Sequence, residues 1–412
     1  MTDAALAAKA NRIQAVVEEQ TLQAHGMLPM FVRASDYQLP TAEDYAGAYH
    51  HRHLHGQTEA DIGIAPMHVW RAWENTSTNT AFYLGAMAYQ YRCTRDPHVL
   101  AICQRTLGAL KYIHSLGVEQ GERGYMCKPY GGVYSNQTAG DQVQCVVLGL
   151  AAYRPVAPRE DLAAIDEILT DMAEFEIEWE YISPHGYFAY TRESLLESIL
   201  GENWTNAQWS YAIIYAPLLY LAWQATGDAK FLREVERWYT ACDTRKRFAV
   251  PTGKITTGGL GWRDLYLPAL LMELDPAQHE VWRSLMLRRY RTLRTGVLDD
   301  GTSPLQWTYD SGTGEREVPG GIVGGGPART GRSAILAMAC VSAQRWFPDE
   351  EMAATARRIL EELDLETFRF IMPVDEAQPL PPEWQVEARM LDHDSLSGWL
   401  WAYWEGRWRG HW

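Results

Sequence analysis

Apolar residues along this chain fall into two kinds of segment that alternate. The stretch 80–92 (TAFYLGAMAYQYR) is apolar around almost its whole circumference, the signature of a helix buried on every side. A turn containing Asp96-Pro97 follows, and then an ordinary amphipathic helix from about Val99 to Leu116. Asp before Pro suits a helix start, since the carboxylate caps free N–H groups and Pro fits the first turn. The same phrase recurs at 141–153 followed by 160–181, at 208–226 followed by 229–242, at 265–274 followed by 277–293, and at 333–346 followed by 350–363. A last all-apolar helix, 395–404, has no follower, and a first amphipathic one, about Ala5 to Ala24, has no predecessor.

Six apolar and six amphipathic helices in strict alternation predict an all-α fold. If the first and last segments pair, a ring closes: an (α/α)6 toroid over residues 1–412, read as one domain, with apolar helices inside and amphipathic ones shielding them. An open superhelical solenoid uses the same helix pairs, but the unpaired end segments and the absence of polar capping repeats favour closure.

Alternation makes all inner helices run the same way, so their N-termini share one face. There, free N–H groups and positive dipole ends gather. Connections into the inner helices are also the long ones, where function usually resides. The residues at these six corners read WRAWEN (70–75), YSNQTAGDQ (134–142), ENWTN (202–206), GWRD (261–264), RTGR (329–332) and DHD (392–394). Five of six carry a carboxylate, three carry Trp and three carry Arg. Trp stacks on rings, Arg and Asn bind hydroxyls or carboxylates, and acids transfer protons, which is the equipment of a sugar-cleaving site. Any one of these residues taken alone is equally well explained as a helix cap or rim ion pair.

The architecture resembles the six-hairpin glycosidase superfamily, in particular unsaturated glucuronyl or rhamnogalacturonyl hydrolases and the β-glucuronidases of glycoside hydrolase family 154. The most specific stretch is GYMCKPYGG (124–132) followed by QTAGDQ (137–142), which resembles the loop and acid opening the second corner in such enzymes. The resemblance implies a uronic-acid hydrolase with Asp141 as general acid and Glu74, one corner earlier, as nucleophile or base. Asp264, Asp392 and Asp394 are alternatives for the second role. The corner and loop residues themselves offer candidate substrate contacts at Trp73, Asn75, Lys128, Tyr130, Gln142, Asn203, Trp204, Trp262, Arg263, Asp264, Arg329, Arg332 and His393, with Lys128, Arg263, Arg329 and Arg332 as candidates to hold a uronate. The first corner departs from the unsaturated-sugar hydrolases, having Glu74-Asn75 where they have Asp. Neither a cofactor nor a metal is implied.

Composition narrows the remaining classes. The chain has 17 Trp and 22 Tyr against 9 Phe, which suits a wet, ring-stacking cleft. A formal charge of −15 argues against nucleic acid and anionic membranes as partners. A small oligosaccharide is the expected partner, and a homo-oligomer is compatible with everything above. Six cysteines without CxxC spacing, no apolar leader at the first residues and no long apolar run read as a cytoplasmic protein.

Four histidines crowd into 50–55 (HHRHLH), where His50, His53 and His55 could share a metal, although no second cluster completes the site. An active-site flap or a plain surface loop is the better reading, and His51 or His53 could instead touch substrate. GPARTGRS (326–333) nearly matches a phosphate loop, but Arg replaces Lys and no strand leads in. Three rivals remain. A lyase would use Tyr130 or a loop histidine as base, with Asn203 and an Arg neutralising the uronate. A sugar epimerase resembling the N-acylglucosamine 2-epimerases would need paired histidines, of which only His393 stands at a corner. A binding scaffold would need no catalytic acid.

Overall fold

A computed structural model describes residues 1–47, 65–185, 204–242, 254–258, 263–310, 312–317, 328–346, 348–374 and 380–412. The alternation in the sequence becomes two concentric layers of helices. In chain order they are α1 (Asp3–Val16), the short α2 (Met67–Trp73), α3 (Thr76–Thr94), α4 (Pro97–Glu119), α5 (Gly140–Tyr153), α6 (Arg159–Glu178) and α7 (Trp204–Thr226). They continue as α8 (Ala229–Cys242), α9 (Arg263–Leu274), α10 (His279–Leu293), α11 (Ser333–Ala343), α12 (Glu350–Glu362), the short α13 (Pro382–Gln385) and α14 (His393–Arg409).

The inner circle is α3, α5, α7, α9, α11 and α14. Each packs on the next, and α14 packs back on α3, so the ring is closed. Helices α4, α6, α8, α10 and α12 lie outside, each against the inner helices beside it, and α1 packs on α14, the pairing that closure requires. Asp96 caps α4 as its Asp-Pro signature predicts, its carboxylate accepting from the His98 N–H at 2.8 Å. Asp349 does the same for α12 through the Met352 N–H. Helix α1 ends earlier than the pattern suggests. The chain leaves α-helical geometry at Val17 and passes through one wider turn to Thr21.

Inner helices can approach closely because small residues stand at the crossings. A Cβ on Gly149 of α5 would lie 2.3 Å from the Ala81 carbonyl oxygen of α3, and one on Gly398 of α14 would lie 3.0 Å from Ile335 of α11. Gly85 of α3 makes room for Trp401 of α14. That indole sits edge-on to Phe82 (6.0 Å between centroids) and to Tyr266 of α9 (5.3 Å), so one side chain ties three inner helices together.

Periodicity did not reveal the short strands, which stitch loops to one another. Strand β1 (Phe31–Arg33) pairs antiparallel with β8 (Met390–Asp392), setting Phe31 opposite Asp392. Strand β2 (Lys254–Gly258) pairs with β4 (Gln306–Asp310), which pairs with β5 (Arg316–Glu317). Strands β3 (Ser303–Pro304), β6 (Ala328–Thr330) and β7 (Met372–Pro373) form a third small sheet. No described helix is long and apolar enough to cross a membrane.

The crossing at Gly85 gives a direct test. Gly85→Ala would put a methyl 1.9 Å from the Trp401 ring, and is expected to cost roughly 1–3 kcal/mol by overpacking. Gly108→Ala, in α4 with nothing within 4 Å of its Cβ position, is expected to stabilise by about 0.5–1 kcal/mol through helix propensity alone. Urea unfolding midpoints of the two variants should therefore move in opposite directions.

Candidate functional site

Four of the six corners meet in one buried hydrogen-bonded run, on the face where the inner helices begin. Asn75 precedes α3 in the N-cap position, yet its side chain caps nothing. Its amide instead donates to Asp394 Oδ2 at 3.0 Å, and its carbonyl accepts from Gln142 Nε2 at 3.1 Å. Asp394, in the first turn of α14, forms an ion pair with Arg332, which precedes α11. Arg332 also binds Asp392 through Nε at 3.0 Å and Nη2 at 3.3 Å, while its guanidinium lies over the Phe370 ring at 4.5 Å. Asp392 occupies the N-cap position of α14 but gives no side-chain cap bond to the backbone. Its carboxylate takes Arg332 and the Ser395 hydroxyl, at 2.7 Å.

Charge is unbalanced here. Arg332, Asp392 and Asp394 are all almost wholly buried, so one guanidinium faces two carboxylates. Asp392 holds the guanidinium through two bonds. Burial pushes the Asp394 carboxyl up to about 7, with Arg332 and Asn75 opposing and Asp392 and Asp141 adding to the rise. A surplus buried carboxylate that takes up a proton is the ordinary outcome when like charges share a site.

Glu74 has the reverse surroundings. Burial acts to raise its carboxyl, but Lys128 and Arg71 outweigh it, and the group stays below the usual glutamate range. Lys128 Nζ lies 3.3 Å from Glu74 Oε1, and Arg71 Nη1 lies 2.7 Å from Oε2. Lys128 is presented by a loop clasped to itself: its N–H donates to the Gln137 carbonyl at 2.7 Å, the Ser135 hydroxyl donates to its carbonyl, and Thr138 bonds the Met126 carbonyl. Arg71 turns its other edge to the fully buried Glu387 and lies over Phe31, Trp70 and Phe370.

Asp141 stands half-buried in the first turn of α5, accepting from the Gln142 N–H at 3.1 Å, and its charge is felt at Asp394. Trp73 and Tyr130 are buried alongside, and burial pushes the Tyr130 phenol far above its ordinary value. The structure thus gathers Glu74, Asn75, Lys128, Asp141, Gln142, Arg332, Asp392 and Asp394 into one neighbourhood. Arg329 is placed apart, in β6, bound to Asp300 and the Pro373 carbonyl. His393 is fully buried beneath the segment before β1. Its N–H donates to the Met30 carbonyl, and burial pulls its imidazole down to about 4, so it is neutral at pH 7.

Asn203 and Trp262, the side chains of Trp204, Arg263 and Asp264, and the histidine loop 50–55 lie outside the described residues. Among the described residues no group of His, Cys, Asp and Glu is arranged to hold a metal ion. Two members of the site went unselected in the sequence. Arg71 carried a local signal, three residues before Glu74 on one helical face. Glu387 carried none, because 316 residues separate it from Arg71.

Removing either charge from the buried trio has opposite consequences. Arg332→Met strands two carboxylates and is expected to cost about 3–5 kcal/mol, read from urea unfolding at pH 7. Asp394→Asn removes the surplus charge. Because the folded carboxyl titrates near 7 and the unfolded one near 3.8, the native protein loses stability as pH rises between those values. The gain from Asp394→Asn should therefore grow from pH 4 to pH 7 and then level off.

No protein-family model and no curated protein matches the chain. Solved structures do. An unsaturated glucuronyl hydrolase specific for heparin aligns at 12% identity, over 99% of each chain, with a TM-score of 0.53. Cellobiose 2-epimerase from Bacillus thermoamylovorans aligns at 12% identity, over 97% of this chain and 100% of its own, with a TM-score of 0.51. The chain has the six-hairpin (α/α)6 toroid fold that these enzymes share.

Proposed function

We propose that the protein is a carbohydrate-active enzyme, a glycoside hydrolase acting on a uronic-acid-containing oligosaccharide. The observation that carries this reading is the separation of its carboxyl groups into two protonation states within one corner cluster. Glu74 is held ionised by Lys128 and Arg71, while Asp394 holds a proton up to about pH 7 beside Asp141. Environments that push paired carboxyls apart assign base and acid.

Asp141 is the half-buried member, open to a ligand, and acts as general acid on the glycosidic oxygen, within electrostatic reach of Asp394. Glu74 serves as the ionised carboxylate, either attacking the anomeric carbon or activating water. Trp73 and the other aromatic residues at these corners supply stacking surface, and Lys128 supplies positive charge for a uronate. Burial weighs against one named group of each rival, while the loop histidines that the lyase reading also names lie outside the described residues. The Tyr130 phenol is pushed up, away from a lyase base, and the one corner histidine of an epimerase, His393, has its ring buried.

Release of nitrophenol from a panel of nitrophenyl glycosides, a glucuronide among them, tests the reading. Asp141→Asn and Glu74→Gln should each lower glucuronide kcat by about 10²–10⁴-fold with the fold intact by circular dichroism. The kcat profile should fall on the acid side as Glu74 is protonated, and on the alkaline side near pH 7 as Asp394 ionises and adds charge to the cluster. Asp394→Asn should shift the alkaline limb while leaving the acid limb in place. Absence of hydrolysis across the panel, or full activity in Asp141→Asn, would sink the proposal.

A further inference from the structure

The segment 387–394 delivers three carboxylates to two arginines. Asp392 and Asp394 go to Arg332, and Glu387 goes to Arg71. Glu387 opens a single 3-10 turn (Glu387–Arg389) that runs straight into β8, whose pairing with β1 fixes where the turn sits. Its Oε1 accepts from Arg71 Nε, while Arg71 Nη1 holds Glu74 Oε2 at 2.7 Å. One guanidinium therefore faces two carboxylates here as well. The Arg71 guanidinium carbon lies 5.2–5.8 Å from the centroids of Phe31, Trp70 and Phe370, and these rings leave it little room to turn from one carboxylate toward the other.

Lys128 is what distinguishes the two arginine groups. Its ammonium stands 3.3 Å from Glu74 Oε1, so two cations meet two carboxylates around Arg71, whereas one cation meets two around Arg332. Charges this deeply buried act on one another with little screening by water. Among the described residues, the other groups within electrostatic reach of Glu74 are Arg332 and the phenols of Tyr45 and Tyr130. Arg332 is already shared by Asp392 and Asp394, and burial keeps both phenols neutral. The field at Glu74 then depends on how much of the Arg71 charge Glu387 takes. A carboxylate held by two uncompensated cations is ionised but a weak base, and base catalysis follows basicity.

We propose that Glu387 is a positioning residue for Glu74: it fixes the Arg71 guanidinium and takes a share of its charge, so that Glu74 stays ionised without losing its basicity. This role rests on the reading of Glu74 as the ionised carboxylate of the site. Glu387 acts through Arg71, since its own side chain is 0% exposed and has no surface with which to meet a substrate.

Carbon-13 NMR of the protein labelled at the glutamate side-chain carboxyl tests this through the acid titration of Glu74, whose resonance is the one lost in Glu74→Gln. Lys128→Met leaves Arg71 alone between two carboxylates, as Arg332 is, and should raise the proton affinity of Glu74 by about tenfold or more. Adding Glu387→Gln restores the charge balance with an amide oxygen still placed to accept from Arg71 Nε, and should lower that affinity again by a similar factor. Glu387→Gln alone should carry it below the wild-type value; if that variant does not fold, the charge-balanced double variant replaces it. The acid limb of kcat should move in step, up in Lys128→Met and back down in the double variant. A Glu387 that merely braces the fold would leave the Glu74 titration where Lys128→Met put it, and that result overturns the proposal. So does a Glu74 titration that rises in Glu387→Gln. The titration needs no turnover, so absence of hydrolysis strikes the catalytic reading of Glu74, whereas an unmoved titration strikes the part played by Glu387.

Discussion

A single directional constraint organises the molecule: every inner helix must run the same way. It follows from pairing each all-apolar helix with a one-sided one, since the hairpin returns the chain to the same face before the next inner helix begins. Six positive dipole ends then gather at one mouth of the ring and six negative ends at the other. Each mouth is furnished accordingly. Carboxylates dominate the first, with Glu74, Asp141, Asp392 and Asp394 around the start of the inner helices. Guanidinium groups dominate the second, with Arg92, Arg345 and Arg409 around their ends.

Burial and charge pairing differentiate those carboxylates further. A common helix-end field favours the ionised form at every corner, so it alone would leave the acids alike. What separates them is stoichiometry. Glu74 has two cations within bonding distance, whereas Asp394 shares one cation with Asp392. The amide of Asn75 and that of Gln142 join the two regions without adding charge, which allows neighbouring carboxyls to keep different protonation states.

The ring was legible in the chain because periodicity reports burial, and an inner helix is buried on all sides. The inner helices 141–153, 333–346 and 395–404 read from the sequence coincide with α5, α11 and α14 to within a few residues. Corner residues were legible as chemistry, because acids, amides and Arg at helix starts repeat. Their partners were not. Asn75, Asp392 and Arg332 precede helices, and local rules assign such residues to caps, whereas here Arg332 and Asp392 turn to each other and Asn75 turns to Asp394 across 319 positions of sequence. Glu387 and the β1–β8 pairing were equally hidden, since a two- or three-residue strand has too few alternations to register.

That small pairing has a consequence for the order in which the molecule is made. Phe31 lies opposite Asp392, the inner helix that completes the ring is α14, and α1 packs on that helix. The hairpins from α3 to α12 are local and can assemble as they emerge, but the join between the two ends spans nearly the whole chain. A ribosome must therefore have made every inner helix but the last before Asp394, Asp392 and Glu387 can meet Asn75, Arg332 and Arg71. Until then the open arc exposes the apolar flanks of its first and last inner helices. The corner cluster is thus the last part of the ring to form, and its assembly marks the ring as closed.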